Sequence, residues 1–105
     1  VFGAAHAPSY SATKSGLIGL TNSMASCWAV HGVRVNGIAP GWINTKLSAP
    51  AKEDPDRMKK IMSRIPMGRW GDADEIGGAA VFLASNQASY ITGTTIFIDG
   101  GYTAN

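Results

Sequence analysis

Val33-Arg34-Val35-Asn36-Gly37-Ile38-Ala39-Pro40-Gly41-Trp42-Ile43-Asn44-Thr45 is the stretch from which the fold is read. Its first part, Val33 to Ala39, is short and β-branched, as a buried strand is. Pro40 and Gly41 end it abruptly. The segment 40–45 is therefore a turn leaving the carboxyl end of a strand, the rim at which ligands bind in open α/β sheets.

Upstream, Gly32 stops a helix that the pattern predicts from Ser9 or Tyr10 to about Val30, within the segment 9–31. Pro8 and Ser9 supply its start, with Ser9 the candidate N-cap. Leu17, Leu20, Met24 and Trp28 keep helical spacing, and Tyr10 and Lys14 extend that stripe backwards. Residues four apart share a helix face, so the phenol and the ammonium can act as one unit. Free tyrosine, with a pKa of about 10, exchanges protons poorly at neutral pH. A lysine charge about 4 Å away interacts with a phenolate by up to roughly 4 kcal/mol in a partly wet site. At about 1.4 kcal/mol per unit, that lowers the phenol by up to roughly three units. Such a tyrosine can trade a proton with an alcohol or carbonyl oxygen. The bland alternative is a surface pair on a helix.

Downstream, Asp54 is placed to cap a helix with Pro55 at its first position. Met58, Ile61, Met62 and Ile65 then form an amphipathic stripe, which suits either core packing or a lid over a pocket. Pro66 closes that segment. Asp72 and Glu75 form a capping-box-like start to another helix, reaching about Ser85, with Ile76, Ala79, Ala80 and Leu83 as its apolar face. Gly77-Gly78-Ala79-Ala80 makes part of it slim enough for another backbone to approach. Thr94 to Ile98 reads as a second strand, ended by a turn at Asp99-Gly100-Gly101.

The order helix, strand, helical insertion, helix, strand argues for an α/β fold with parallel strands. Two parallel strands need covered faces and neighbours. The expectation is the C-terminal part of a doubly wound, Rossmann-like sheet, residues 1–105 of one domain, with its N-terminal half upstream. The start at Val1-Phe2-Gly3, with no methionine, fits that expectation.

Composition excludes several classes. With 45% hydrophobic residues, nine basic and seven acidic side chains and a net charge of +2, the chain is ordinary globular protein. No basic stripe points to nucleic acid, and no apolar run reaches the roughly 20 residues that span a bilayer. The single cysteine, Cys27, rules out an internal disulfide and suits a reducing compartment, so a cytoplasmic setting is expected. No His, Cys, Asp or Glu set has metal-ligand spacing, and Asp99 reads as a turn residue. Cys27 and Trp70 are expected to pack, His31 to meet terminal helix carbonyls, and His6 to lie in a solvated loop.

In combination, Tyr10-Ser11-Ala12-Thr13-Lys14, Gly32-Val33-Arg34-Val35-Asn36, Pro40-Gly41-Trp42-Ile43-Asn44-Thr45, Gly68-Arg69-Trp70-Gly71 and the ending from Ile91-Thr92-Gly93 to Asp99-Gly100-Gly101 closely resemble the short-chain dehydrogenase/reductase family. The resemblance covers almost the whole chain. It implies an oxidoreductase that moves hydride between NAD or NADP and a secondary alcohol or ketone. From Arg64 to Gly101 it is most like members acting on sugar acids and polyols. Tyr10 is implied as general acid/base. Lys14 is implied to lower the pKa of Tyr10 and to bond the nicotinamide ribose. Ile43 through its backbone and Thr45 through its hydroxyl would hold the carboxamide. Pro40 and Gly41 would shape the turn against the nicotinamide ring.

Residues 46–67 would be the substrate loop and lid, with Trp42 and Met58 as substrate contacts. Lys46, Lys52 and Arg57 flank that lid. Helix and strand 72–101 would complete the domain, in a homo-oligomer, most often a tetramer. The family's glycine-rich loop, serine and structural asparagine would all lie upstream, and Asn36 and Asn44 do not replace that asparagine by position. The chain by itself is therefore expected neither to bind a dinucleotide nor to turn over. Two alternatives stand beside this reading. One is a non-catalytic dinucleotide-binding or regulatory protein of the same fold. The other is an enoyl reductase, although those space tyrosine and lysine more widely.

Overall fold

The computed structural model describes residues 8–45 and 53–104, and residues 1–7, 46–52 and 105 lie outside it. Helix α1 spans Pro8–Trp28 and continues as a 3-10 turn over Ala29–His31. Strand β1 is Gly37–Pro40, α2 is Pro55–Met62 and α3 is Ala73–Ala84. A 3-10 turn at Asn86–Ala88 leads to strand β2, Thr95–Ile98, and a last 3-10 turn covers Tyr102–Ala104. The two strands are hydrogen-bonded neighbours. Gly37 donates to the Thr94 carbonyl and Gly41 to that of Ile98, so both strands advance together and are parallel. The fold is α/β, as the order of elements predicts.

The chain forms two compact units, residues 1–37 with 83–96, and residues 38–82 with 97–105. In the first, α1 starts one residue before the expected cap, so Ser9 is helical. Gly32 stops the helical run in the left-handed conformation, φ 75°, its N–H donating to the Ala29 carbonyl. The strand begins only at Gly37, later than Val33, because residues 34–36 are committed elsewhere. The Arg34 guanidinium donates to the carbonyls of Ile91 and Ser85. Asn36 donates to the Ile91 carbonyl and accepts from the Thr94 N–H, which accounts for its amide structurally.

Helix α1 backs onto the start of both strands. A Cβ on Gly93 would lie 3.5 Å from that of Ala25, and one on Gly37 would lie 3.6 Å from Thr21 Oγ1 and 3.1 Å from Thr95 Oγ1. Within this unit, one turn back along α1 thus corresponds to a forward step from Gly93 to Thr95, so the helix runs antiparallel to that segment. The face that α1 buries is the Thr21–Ala25 line. The stripe of Leu17, Leu20 and Trp28 is exposed instead, Leu17 by 59%. Cys27 is exposed as well, contrary to its expected packing. Two positions after Ala25 on a 100° helix, it points away from the buried line.

In the second unit, Asp54 caps α2 as expected, its carboxylate accepting from the N–H groups of Asp56 and Arg57. The helix ends at Met62, short of Pro66, yet the stripe persists beyond it. Ile61, Ile65 and Trp70 form the buried cluster, with Trp42, Met58, Met62 and Tyr102 packed against it. Core packing therefore explains this face of the expected lid. Helix α3 is only partly as expected: Leu83 is buried, whereas Ala80 is exposed. A Cβ added to Gly77 or Gly78 would meet nothing within 4 Å, so no neighbour among the described residues uses their slimness.

Candidate active site

Tyr10 and Lys14 both fall within α1, one turn apart. The side chain of Tyr10 lies outside the described residues, and Lys14 is half-buried. The helical register that a tyrosine–lysine unit requires is therefore present.

The turn after β1 belongs to the second unit. Pro40 closes the strand, and the Gly41 N–H donates to the Ile98 carbonyl at 2.9 Å. Gly41 passes so close to Asp99 that a Cβ on it would sit 2.6 Å from the Cβ of Asp99. Only glycine fits there. Asp99 is itself fastened, its carboxylate accepting from the N–H groups of Gly101 and Thr103 and from the Thr103 hydroxyl.

On its other side the turn pairs with the loop before α3. Ile43 forms a parallel bridge with Gly71. The Gly71 N–H donates to the Trp42 carbonyl at 2.9 Å, and the Asn44 N–H to the Gly71 carbonyl at 2.8 Å. The Asn44 side-chain amide donates to the Asp72 carboxylate at 3.1 Å. The rings of Trp42 and Trp70 meet at 5.4 Å, tilted by 34°, which fastens Trp42 to the core. Thr45 is exposed, and Met58 packs against the buried cluster. A pocket of about 320 Å³ opens beside Trp42, with Met67, Arg69, Glu75, Phe97 and Asp99 on its walls.

The strongest electrostatic feature is a fork-to-fork pair that sequence reasoning missed. Arg69 donates to both carboxylate oxygens of Glu75, at 2.8 and 2.9 Å, and also to the Trp70 carbonyl at 3.1 Å. Glu75 accepts in addition from the Asp72 N–H at 3.0 Å, the return arm of the expected capping box. The forward arm is not made: the Glu75 N–H donates to the Asp72 carbonyl at 3.0 Å, and the Asp72 carboxylate accepts from Asn44. Glu75 follows Arg69 by six positions, a spacing across a loop that no helical periodicity flags.

The hydrogen bonds from Arg69, and then the one from the Asp72 backbone, pull the Glu75 carboxyl down to about 2 from 4.5. The same pairing raises Arg69. A depressed acid stabilises the folded form fully above its ordinary value of 4.5, and the contribution is lost as pH falls through about 2. Glu75 is thus expected to titrate near 2 in a carboxyl-carbon NMR titration, leaving the pair intact throughout the neutral range. A midpoint at the ordinary carboxylate value would show that the pair is not formed.

Among the described residues, no group of three or more His, Cys, Asp or Glu is placed to hold a metal ion. Likewise, none of their helices is long and apolar enough to cross a membrane.

Comparison with known proteins gives this geometry its context. Residues 1–103 match the family model described as Enoyl-(Acyl carrier protein) reductase. The chain is 50% identical over 95 residues to a 2-dehydro-3-deoxy-D-gluconate 5-dehydrogenase of Bacillus subtilis (strain 168), covering 90% of this chain and 37% of that protein. It is 46% identical over 98 residues to 3beta-hydroxysteroid dehydrogenase 1 of Eggerthella lenta, covering 93% of this chain and 38% of that protein. Among solved structures, a gluconate 5-dehydrogenase from Burkholderia cenocepacia J2315 in complex with NADP and tartrate superposes with a TM-score of 0.85. It is 42% identical, and the match covers 91% of this chain and 38% of that one. The chain therefore spans somewhat under two fifths of the length of these relatives. A family-model match over nearly every residue, joined to a Rossmann-type neighbour of this similarity, shows that the chain belongs to the short-chain dehydrogenase/reductase family.

Proposed function

We propose that the intact protein is an NAD- or NADP-dependent dehydrogenase/reductase of secondary alcohols and ketones, with a hydroxylated substrate of the sugar-acid or polyol class. The observation that carries this reading is the i, i+4 placement of Tyr10 and Lys14 on the one helix α1, which packs by Thr21 and Ala25 against Gly37 and Gly93. Within α1, Tyr10 and Lys14 lie one turn apart in its first two turns, the register a tyrosine–lysine proton-transfer unit needs. The names of the gluconate-type relatives support the substrate class.

The turn also fits a nicotinamide carboxamide. Bridging to Gly71 uses the carbonyl of Trp42 and the N–H of Asn44. In a parallel bridge the central residue's own N–H and C=O point the opposite way, so those of Ile43 are directed away from Gly71. They can pair with an amide there, beside the hydroxyl of Thr45. Pro40 and Gly41 hold the approach to the ring close, and Trp42 walls the adjoining pocket. When bound, the cofactor supplies or accepts the hydride. Tyr10 gives its phenolic proton to the carbonyl oxygen in reduction and takes the hydroxyl proton in oxidation. Lys14, one turn along, keeps the phenol acidic enough to do so near neutral pH. On this reading residues 1–105 belong to one dinucleotide-binding domain of a homo-oligomeric enzyme.

The steroid dehydrogenase relative favours a second substrate class, apolar ring alcohols. A panel assay of the intact protein, following nicotinamide absorbance with both cofactors, decides between them. Gluconate-type acids and polyols are expected to turn over. Oxidation of apolar secondary alcohols alone would overturn the substrate class, and cofactor binding without any turnover would favour the non-catalytic reading.

A further inference from the structure

The turn over residues 40–45 is fastened on one side to the loop before α3. Asn44 and Thr45 are exposed, and beyond Gly41 the described backbone bonds of the turn go to the loop before α3. That loop, residues 68–72, is not a regular element; Trp70 anchors its middle in the buried cluster, and Glu75 ties the residues on either side of it. Arg69 reaches both Glu75 oxygens and the Trp70 carbonyl, while the Asp72 N–H reaches the same Glu75 oxygen as Arg69 Nη1. Glu75 is the third residue of α3, a rigid support. The connection runs from α3 through Glu75 to Arg69 and Asp72, then through Gly71 and the Asp72 carboxylate to Trp42 and Asn44.

We propose that Arg69 and Glu75 are positioning residues for the nicotinamide-binding turn: their fork-to-fork pair locks the loop whose Gly71 and Asp72 set the orientation of Ile43 and Thr45. The inference rests on the reading of that turn as the carboxamide site. Bidentate geometry is what the role needs, because two parallel bonds fix an angle where one charge contact fixes only a distance. A lysine at position 69 would keep the charge and lose the angle.

The test compares two ligands of the intact protein by calorimetry: the reduced dinucleotide it uses, and ADP-ribose (or its 2′-phosphate), which lacks the nicotinamide. Arg69→Lys and Glu75→Gln are each expected to weaken the dinucleotide about three- to tenfold, the equivalent of one neutral hydrogen bond. ADP-ribose, held through adenosine and diphosphate, is expected to bind as before. A purely structural role would lower both affinities together, so an unchanged ratio in the folded variants overturns the proposal. If Glu75→Gln does not fold, Arg69→Lys alone decides. Thr45→Ala separates the two levels of the argument. A ratio that narrows in Thr45→Ala but not in the Arg69 and Glu75 variants refutes only the positioning role. A ratio unmoved by Thr45→Ala removes the carboxamide site, and the positioning role with it.

Discussion

Tyr10→Phe in the intact protein is expected to lower kcat by about 10²- to 10⁴-fold, the range spanned by loss of a positioned general acid/base. The substitution keeps the ring and the helix and removes a single oxygen. With that oxygen gone, the substrate oxygen must exchange its proton with water. The pH profile should change with the rate. On the proposed mechanism the limb set by proton transfer at Tyr10 disappears in the variant, whereas a merely structural tyrosine would leave the profile in place. Steady-state rates with NAD and NADP across pH test this directly. Turnover within tenfold of the parent, with the limb retained, would remove Tyr10 from the chemistry. The helix would remain, because the i, i+4 register of Tyr10 and Lys14 is a property of α1 itself.

Gly41→Ala should produce the largest loss of stability among single-methyl additions in the second unit. The new Cβ would fall 2.6 Å from the Cβ of Asp99 and 2.8 Å from its Cα, closer than carbon atoms can approach. Neither side can yield cheaply. Gly41 is bonded to the Ile98 carbonyl, and the Asp99 carboxylate holds three donors from Gly101 and Thr103. Overpacking of this kind costs about 1–3 kcal/mol, and the rigid backbone on the far side puts this position at about the upper figure. Helical Gly19 has nothing within 4 Å, so the same methyl there meets no such contact and serves as the comparison. Denaturant unfolding of the two variants checks the difference. Equal midpoints would mean that the approach of Gly41 to Asp99 is looser than these distances require.

Local chemistry was legible in the sequence where the partners are a few residues apart. Asp54 with Pro55 marked the start of α2, Gly32 marked the stop of the first helical run, and Glu75 turned back to Asp72 as its spacing promised. The parallel α/β order followed from helical stripes alternating with short β-branched runs that end at glycine or proline turns. Motif likeness also brought forward the segments that form the turn and the loop beside it. The contacts between those segments were not legible in the same way. Asn44 finds the Asp72 carboxylate 28 positions away, and the Glu75 N–H goes to the Asp72 carbonyl instead of that carboxylate. Arg69 finds Glu75 across a loop, and Gly41 finds Asp99 across the strand pair. The first strand starts at Gly37 because Arg34 and Asn36 are drawn to Ser85, Ile91 and Thr94. Composition and period fix which local conformations are cheap, since caps and helical neighbours interact within about four residues. Which distant side chain satisfies a given donor, and which glycine must stay bare, depends on where packing brings two stretches together. Tertiary structure alone decided those.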